Sequence, residues 1–135
     1  MRLRESTTHT DAGLLVLRLG VAAILLFHGI FKLTHGVGFI AGMLGRMGLP
    51  TFVAYGVYVG EILAPVLLIV GLWTRPVALV IAFDLLMAIV LARRNDVFKV
   101  NPMGGGWAIE LEALILIAAL ALALTGGGRY ALGRR

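Results

Sequence analysis

The chain has 135 residues, 60% of them hydrophobic and 14% charged, and a mean hydropathy of +0.98. Ordinary soluble domains are about 45–50% apolar and roughly 25% charged, so these values exclude a soluble globular protein. The formal net charge of +5 does not point to nucleic acid, because the basic residues stand at the ends of apolar runs, where anionic headgroups favour them.

Cutting the chain at its charges and its Gly/Pro clusters leaves apolar segments at 12–31, 52–73, 77–92 and 107–125, of 20, 22, 16 and 19 residues. A helix crossing the hydrocarbon needs about 20 residues, within a range of roughly 17–25. The third segment reaches that length by starting at 74, since Pro76 is accepted in a first helical turn. No segment alternates polar with apolar residues, which sets aside a transmembrane barrel. The first run is too long for a removable signal peptide and three more follow it. The predicted fold is all-α and membrane-integral, a single domain over 1–135 in which four transmembrane helices form a bundle.

Between the first and second spans, Phe39, Ile40, Met43, Leu44 and Met47 recur at helical spacing, with Gly48 and Pro50 as stop signals. This predicts a short interfacial helix, which either lies on the bilayer or caps the bundle. The second and third spans must form a tight antiparallel hairpin. The third and fourth are joined by a loop over 93–106, whose Gly104, Gly105 and Gly106 are expected to be mobile. An even number of spans puts both termini on one side with Arg2, Arg4, Arg75, Arg129, Arg134 and Arg135, against Lys32, Arg46, Arg93, Arg94 and Lys99 opposite. That slight excess and the basic flank of the first span favour cytoplasmic termini in a plasma membrane.

An ionisable side chain at membrane depth costs about 2.5–3.5 kcal/mol on insertion scales, so each asks for a partner or a purpose. The candidates are Arg18, His28 and Lys32 on the first helix, Glu61 on the second, Asp84 on the third, and Glu110 and Glu112 on the fourth. At about 1.5 Å rise per residue, Arg18 and Asp84 lie roughly 9 and 10 Å from the terminal-side face, and Glu61 about 14 Å from the other. A pair of Arg18 with Asp84 is therefore expected, with Glu61 within reach. His28 and Lys32, four residues apart, share a face and lie toward Glu110 and Glu112. Those two glutamates point about 200° apart, so only one faces inward. Lys32 reads first as a headgroup anchor. His28 and Glu61, separated by roughly 9 Å in depth, are expected to face one pocket as its proton-active centre.

Other chemistries are set aside. The absence of cysteine excludes disulfides, thiol redox chemistry and Cys-ligated clusters. Only His28 lies within a span, whereas a b-type haem within one chain needs two axial histidines. There is no GxGxxG, Walker loop, HExxH or nucleophile elbow. Gly126-Gly127-Gly128 follows a helix, whereas a phosphate-binding loop precedes one.

Taken in order, Arg18-Leu-Gly, Phe27-His-Gly-Ile-Phe-Lys-Leu33, Gly48-Leu-Pro50, Gly60-Glu-Ile-Leu-Ala-Pro65, Gly71-Leu-Trp-Thr-Arg75, Gly106-Trp-Ala-Ile-Glu-Leu111 and Gly126-Gly-Gly-Arg-Tyr130 resemble the DoxX family of small four-span membrane proteins, including its YqjF-like members. The resemblance implies a four-helix membrane bundle and a link to redox metabolism, since some members are named as subunits of quinone-reducing or other membrane oxidoreductase complexes. Together with the buried His28 and Glu61, it leads to the expectation of a quinone-binding subunit without a covalently bound cofactor, supplied with electrons by a redox partner protein. Two other classes remain open: an oligomeric transporter or channel protomer for protons or a small polar solute, and a membrane scaffold without chemistry.

Overall fold

The computed structural model describes residues 2–133, with side chains from residue 9 onward. The side chains of Arg2 and Arg4, and Arg134 and Arg135 entirely, used above for orientation, lie outside the described residues. The chain forms α1 (Arg2–His35), α2 (Gly38–Arg46), α3 (Thr51–Val70), α4 (Thr74–Asp96) and α5 (Glu110–Thr125). Among the described residues there is no strand, only an isolated antiparallel bridge between Val100 and Trp107.

The breaks between helices fall where the backbone leaves helical space. Gly36, at φ +82°, ends α1, and Gly71, at φ +81°, ends α3, a left-handed conformation that glycine adopts without a Cβ penalty. Trp73 also takes a positive φ, of 51°, which closes the α3–α4 hairpin in three residues. α4 then begins at Thr74 as the sequence predicts. The extended Pro50 starts α3 with a 3₁₀ turn over Thr51–Tyr55. Further on, α3 widens to a π turn over Val59–Leu63, and α4 does the same over Ile89–Arg93.

One expectation changes. The fourth helix begins at Glu110 rather than 107, because Trp107 is drawn into the bridge and its indole donates to the Val97 carbonyl at 2.5 Å. The helix is then 16 residues long, or about 24 Å. The glycine loop is a hydrogen-bonded turn, in which Asn101 N donates to Gly106 O at 2.7 Å and Gly105 N to Asn101 O at 2.8 Å.

Packing is that of a protein turned toward lipid. Ala22, Ala78 and Ala119 are fully buried and let α1, α4 and α5 approach closely around Leu25, Leu68, Ile81 and Leu122. Phe27, Phe83 and Leu124 point outward at 80%, 65% and 81% exposure. Helices over His9–His35, Thr51–Val70 and Thr74–Asp96 are long and apolar enough to cross a membrane. α2 caps one end of the bundle, with Leu44 buried beside Val37 and Ala54.

Candidate functional site

The inner face of α1 is a stripe of Arg18, Ala22, Leu25 and Gly29, all buried, that continues to Lys32. A Cβ at Gly29 would collide with the Glu61 carbonyl, so glycine is what lets α3 approach α1 this closely. One turn further along, the Lys32 ammonium lies 2.6 Å from Glu61 Oε2 and 2.8 Å from Oε1. The side chains are 27% and 6% exposed, which makes this a largely desolvated ion pair. Tyr58 donates to the Lys32 carbonyl at 3.1 Å, fixing α1 against α3. Glu61 sits in the π turn of α3, a local widening that occurs often at functional sites.

Asp84 joins this pair from α4. A Cβ at Gly60 would lie 2.8 Å from the Asp84 carboxyl, so α4 is packed against the backbone next to Glu61. Asp84 makes no hydrogen bond among the described residues, and it feels the charges of Glu61 and Lys32. The three groups form the polar wall of a cavity of about 410 Å³ between α1, α2, α3 and α4. The rest of the lining is mainly apolar, including Phe31, Phe39, Ile40, Met43 and Leu91. His35 closes one side, its ring stacked on Phe31 at a centroid distance of 4.0 Å. Lys32, Glu61 and Asp84 also line a second chamber of about 150 Å³, with His28, Arg93 and Glu112.

The expected partnerships are rearranged. Arg18 is fully buried, but it is not paired with Asp84. Its guanidinium donates to the carbonyls of Leu68 at 2.8 Å, Ile69 at 3.2 Å and Gly127 at 3.2 Å, tying α1 to the end of α3 and to the segment after α5. The depth estimate placed Asp84 too near that end, because α4 begins at Thr74 and Asp84 lies ten residues in, about 15 Å along the helix. Lys32, expected as a headgroup anchor, is instead the partner of Glu61. His28 is exposed and stands at the rim of the smaller chamber, since the inner stripe of α1 passes through Gly29. His28 and Glu61 share that chamber with Lys32. Glu112 is the glutamate that lines the chamber, whereas Glu110 is exposed.

Arg93 was missed by the sequence reading. It donates to the Ala108 carbonyl at 2.5 Å and lies 3.3 Å from Asp96 and 4.0 Å from Glu112. The Asp96 contact lacks the alignment of a hydrogen bond, since Arg93 Nε has no hydrogen-bond partner among the described residues. The same residues contain no group of three His, Asp or Glu placed to hold a metal ion.

The site therefore offers an ammonium donor, two neighbouring carboxyl groups and an apolar enclosure, which suits an amphiphilic ligand with a hydrogen-bond acceptor. The DoxX family model matches residues 13–94, a stretch that contains Lys32, Glu61 and Asp84. The chain is 34% identical over 122 residues to the Bacillus subtilis (strain 168) protein named "Putative oxidoreductase CatD", covering 90% of this chain and 85% of that one. It is 32% identical over 127 residues to "Uncharacterized membrane protein Rv3486" of Mycobacterium tuberculosis (strain ATCC 25618 / H37Rv), covering 88% and 78%. No solved structure matches the chain. With more than half its length matched and a relative above 30% identity over nine-tenths of it, the chain belongs to the DoxX family.

Proposed function

We propose that the 410 Å³ cavity binds a lipophilic carbonyl compound, a quinone in the first instance, and that the protein is the quinone-binding membrane subunit of an oxidoreductase. The observation that carries this is the Lys32–Glu61–Asp84 wall of a mainly apolar cavity. A quinone supplies carbonyl oxygens that accept hydrogen bonds and, on reduction, protons. The Lys32 ammonium has three N–H groups, of which Glu61 takes two, leaving one for a ligand oxygen. Glu61 and Asp84 hold and pass protons in a low dielectric, where such contacts are strong. Electrons come from a redox partner protein, a role in keeping with the name of the Bacillus subtilis relative. In this reading all four long helices cross the plasma membrane, α2 lies at its interface, and the termini face the cytoplasm.

Titrating a short-chain quinone analogue into the reconstituted protein tests this. Glu61→Gln and Lys32→Met are each expected to weaken binding about tenfold, equivalent to about 1.4 kcal/mol, while Phe27→Ala on the lipid face leaves it unchanged. Absence of binding to the parent, or unchanged binding in both site variants, overturns the assignment. One feature favours a second reading, a protomer that conducts protons: Lys32, Glu61 and Asp84 line both cavities. Vesicles loaded with a pH dye distinguish the two, since a conductor acidifies the lumen without a quinone.

A further inference from the structure

The smaller chamber lies on the other side of the same wall, and its remaining lining is unlike that of the larger one. α1 contributes His28, α4 Arg93 and α5 Glu112, beside Leu85 and Ile115. Arg93 and Glu112 are 37% and 24% exposed, and both stand at the α2 end of the bundle. Asp96 is 3.3 Å from Arg93 and 3.7 Å from Lys99, so charges continue from the chamber to the surface. His28 lies seven residues before the end of α1, about 10 Å along the helix. A polar group at such depth is tolerated where it lines water rather than lipid.

We propose that this chamber is a water-filled inlet carrying protons from the aqueous phase at the α2 end to the Lys32–Glu61–Asp84 wall, with Glu112 and His28 as carriers. The ionisable groups facing it are His28 and Lys32 from α1, Glu61 from α3, Asp84 and Arg93 from α4, and Glu112 from α5. A proton taken up at Glu112 passes through His28 and water to the Asp84 carboxylate. Each carrier regains its starting state when the proton moves on. The inlet exists with or without a quinone, and only its use in protonating a bound carbonyl rests on the function proposed above.

The natural absence of cysteine makes single-cysteine variants of the full chain in vesicles a direct test. Leu85 and Ala22 are both buried in the core, but Leu85 lines the smaller chamber and Ala22 lines neither cavity, so Leu85→Cys is expected to react with aqueous Ag⁺ at least an order of magnitude faster than Ala22→Cys, which needs local opening. Ile115→Cys serves if Leu85→Cys does not fold. Equal rates in variants of normal helicity and elution overturn the inlet. Met87→Cys, which lines the larger cavity and not the smaller, is expected to be slowed by a quinone analogue. Loss of that effect alone overturns the quinone and leaves the inlet standing. For the carriers, photoreleased protons are followed by an infrared carboxyl band that Asp84→Asn abolishes. His28→Leu with Glu112→Gln is expected to slow its appearance by an order of magnitude at unchanged final amplitude. An unchanged rate, a changed amplitude or no such band overturns the proton role.

Discussion

Holding the Lys32 ammonium 2.6 Å from a carboxylate that is 6% exposed makes each charge depend on the other. Removing one partner strands the other in a low dielectric, which costs about 3–5 kcal/mol, whereas replacing both with apolar groups of similar size is often neutral. The partial exposure of Lys32 places this pair at the lower end. Lys32→Met and Glu61→Leu are each expected to lower stability by about 3 kcal/mol, and the double variant to lie closer to the parent than either. Unfolding in detergent measures this, and additive losses would contradict the pairing. The neighbouring glycines act by shape alone. A methyl group at Gly29 meets the Glu61 carbonyl, and one at Gly60 meets the Asp84 carboxyl. Gly29→Ala and Gly60→Ala are therefore expected to cost about 1–3 kcal/mol through overpacking and to weaken ligand binding while removing no polar group.

Between elements, Arg18 does what a buried guanidinium is suited to do, sending several fixed donors to the carbonyls left open at the end of α3. Arg18→Leu removes these charged hydrogen bonds, worth about 1.5–3 kcal/mol each before relaxation, so a loss of about 3 kcal/mol or more is expected, and Arg18→Lys recovers it only in part. Combined with Asp84→Leu, the loss is expected to be additive within about 0.5 kcal/mol, as for sites without a shared partner. A strong coupling by thermal unfolding would restore the ion pair that the structure lacks. The helices themselves were legible in the sequence because apolar length, Gly and Pro mark them directly. Which charges meet was less legible. Pairing depends on depth to within a turn, and counting Asp84 from residue 77 rather than from the helix start at 74 placed it about 4.5 Å too near the Arg18 end. Lys32 looked like an anchor because its position near a helix end is visible in one dimension, whereas the close approach at Gly29 is not. The π turn that carries Glu61 has no sequence signal of its own.

Across the whole molecule, the question is whether α5 traverses the same thickness as the three longer helices. At about 24 Å it is shorter than a hydrocarbon core of about 30 Å, a mismatch that a bilayer accommodates by local thinning. Its flanks are fixed at opposite ends of the bundle. Before it, the Ala108 carbonyl accepts from Arg93 at the end of α4. After it, the Gly127 carbonyl accepts from Arg18, Arg129 N donates to Asp11 at 3.1 Å, and Leu132 N donates to Val70 O at 3.1 Å. The segment 129–133 is thus held beside the first part of α1 and the α3–α4 turn, which places both ends of the described chain on one side. The basic flank of the first span leads us to expect the cytoplasm on that side. Fluorescent-protein fusions at either terminus are expected to be bright, and periplasmic phosphatase fusions at either terminus inactive. Two fusions that disagree would mean that α5 does not cross. Two active phosphatase fusions would keep the four crossings and reverse the orientation, moving the α2 end and the mouth of the smaller chamber to the cytoplasmic face.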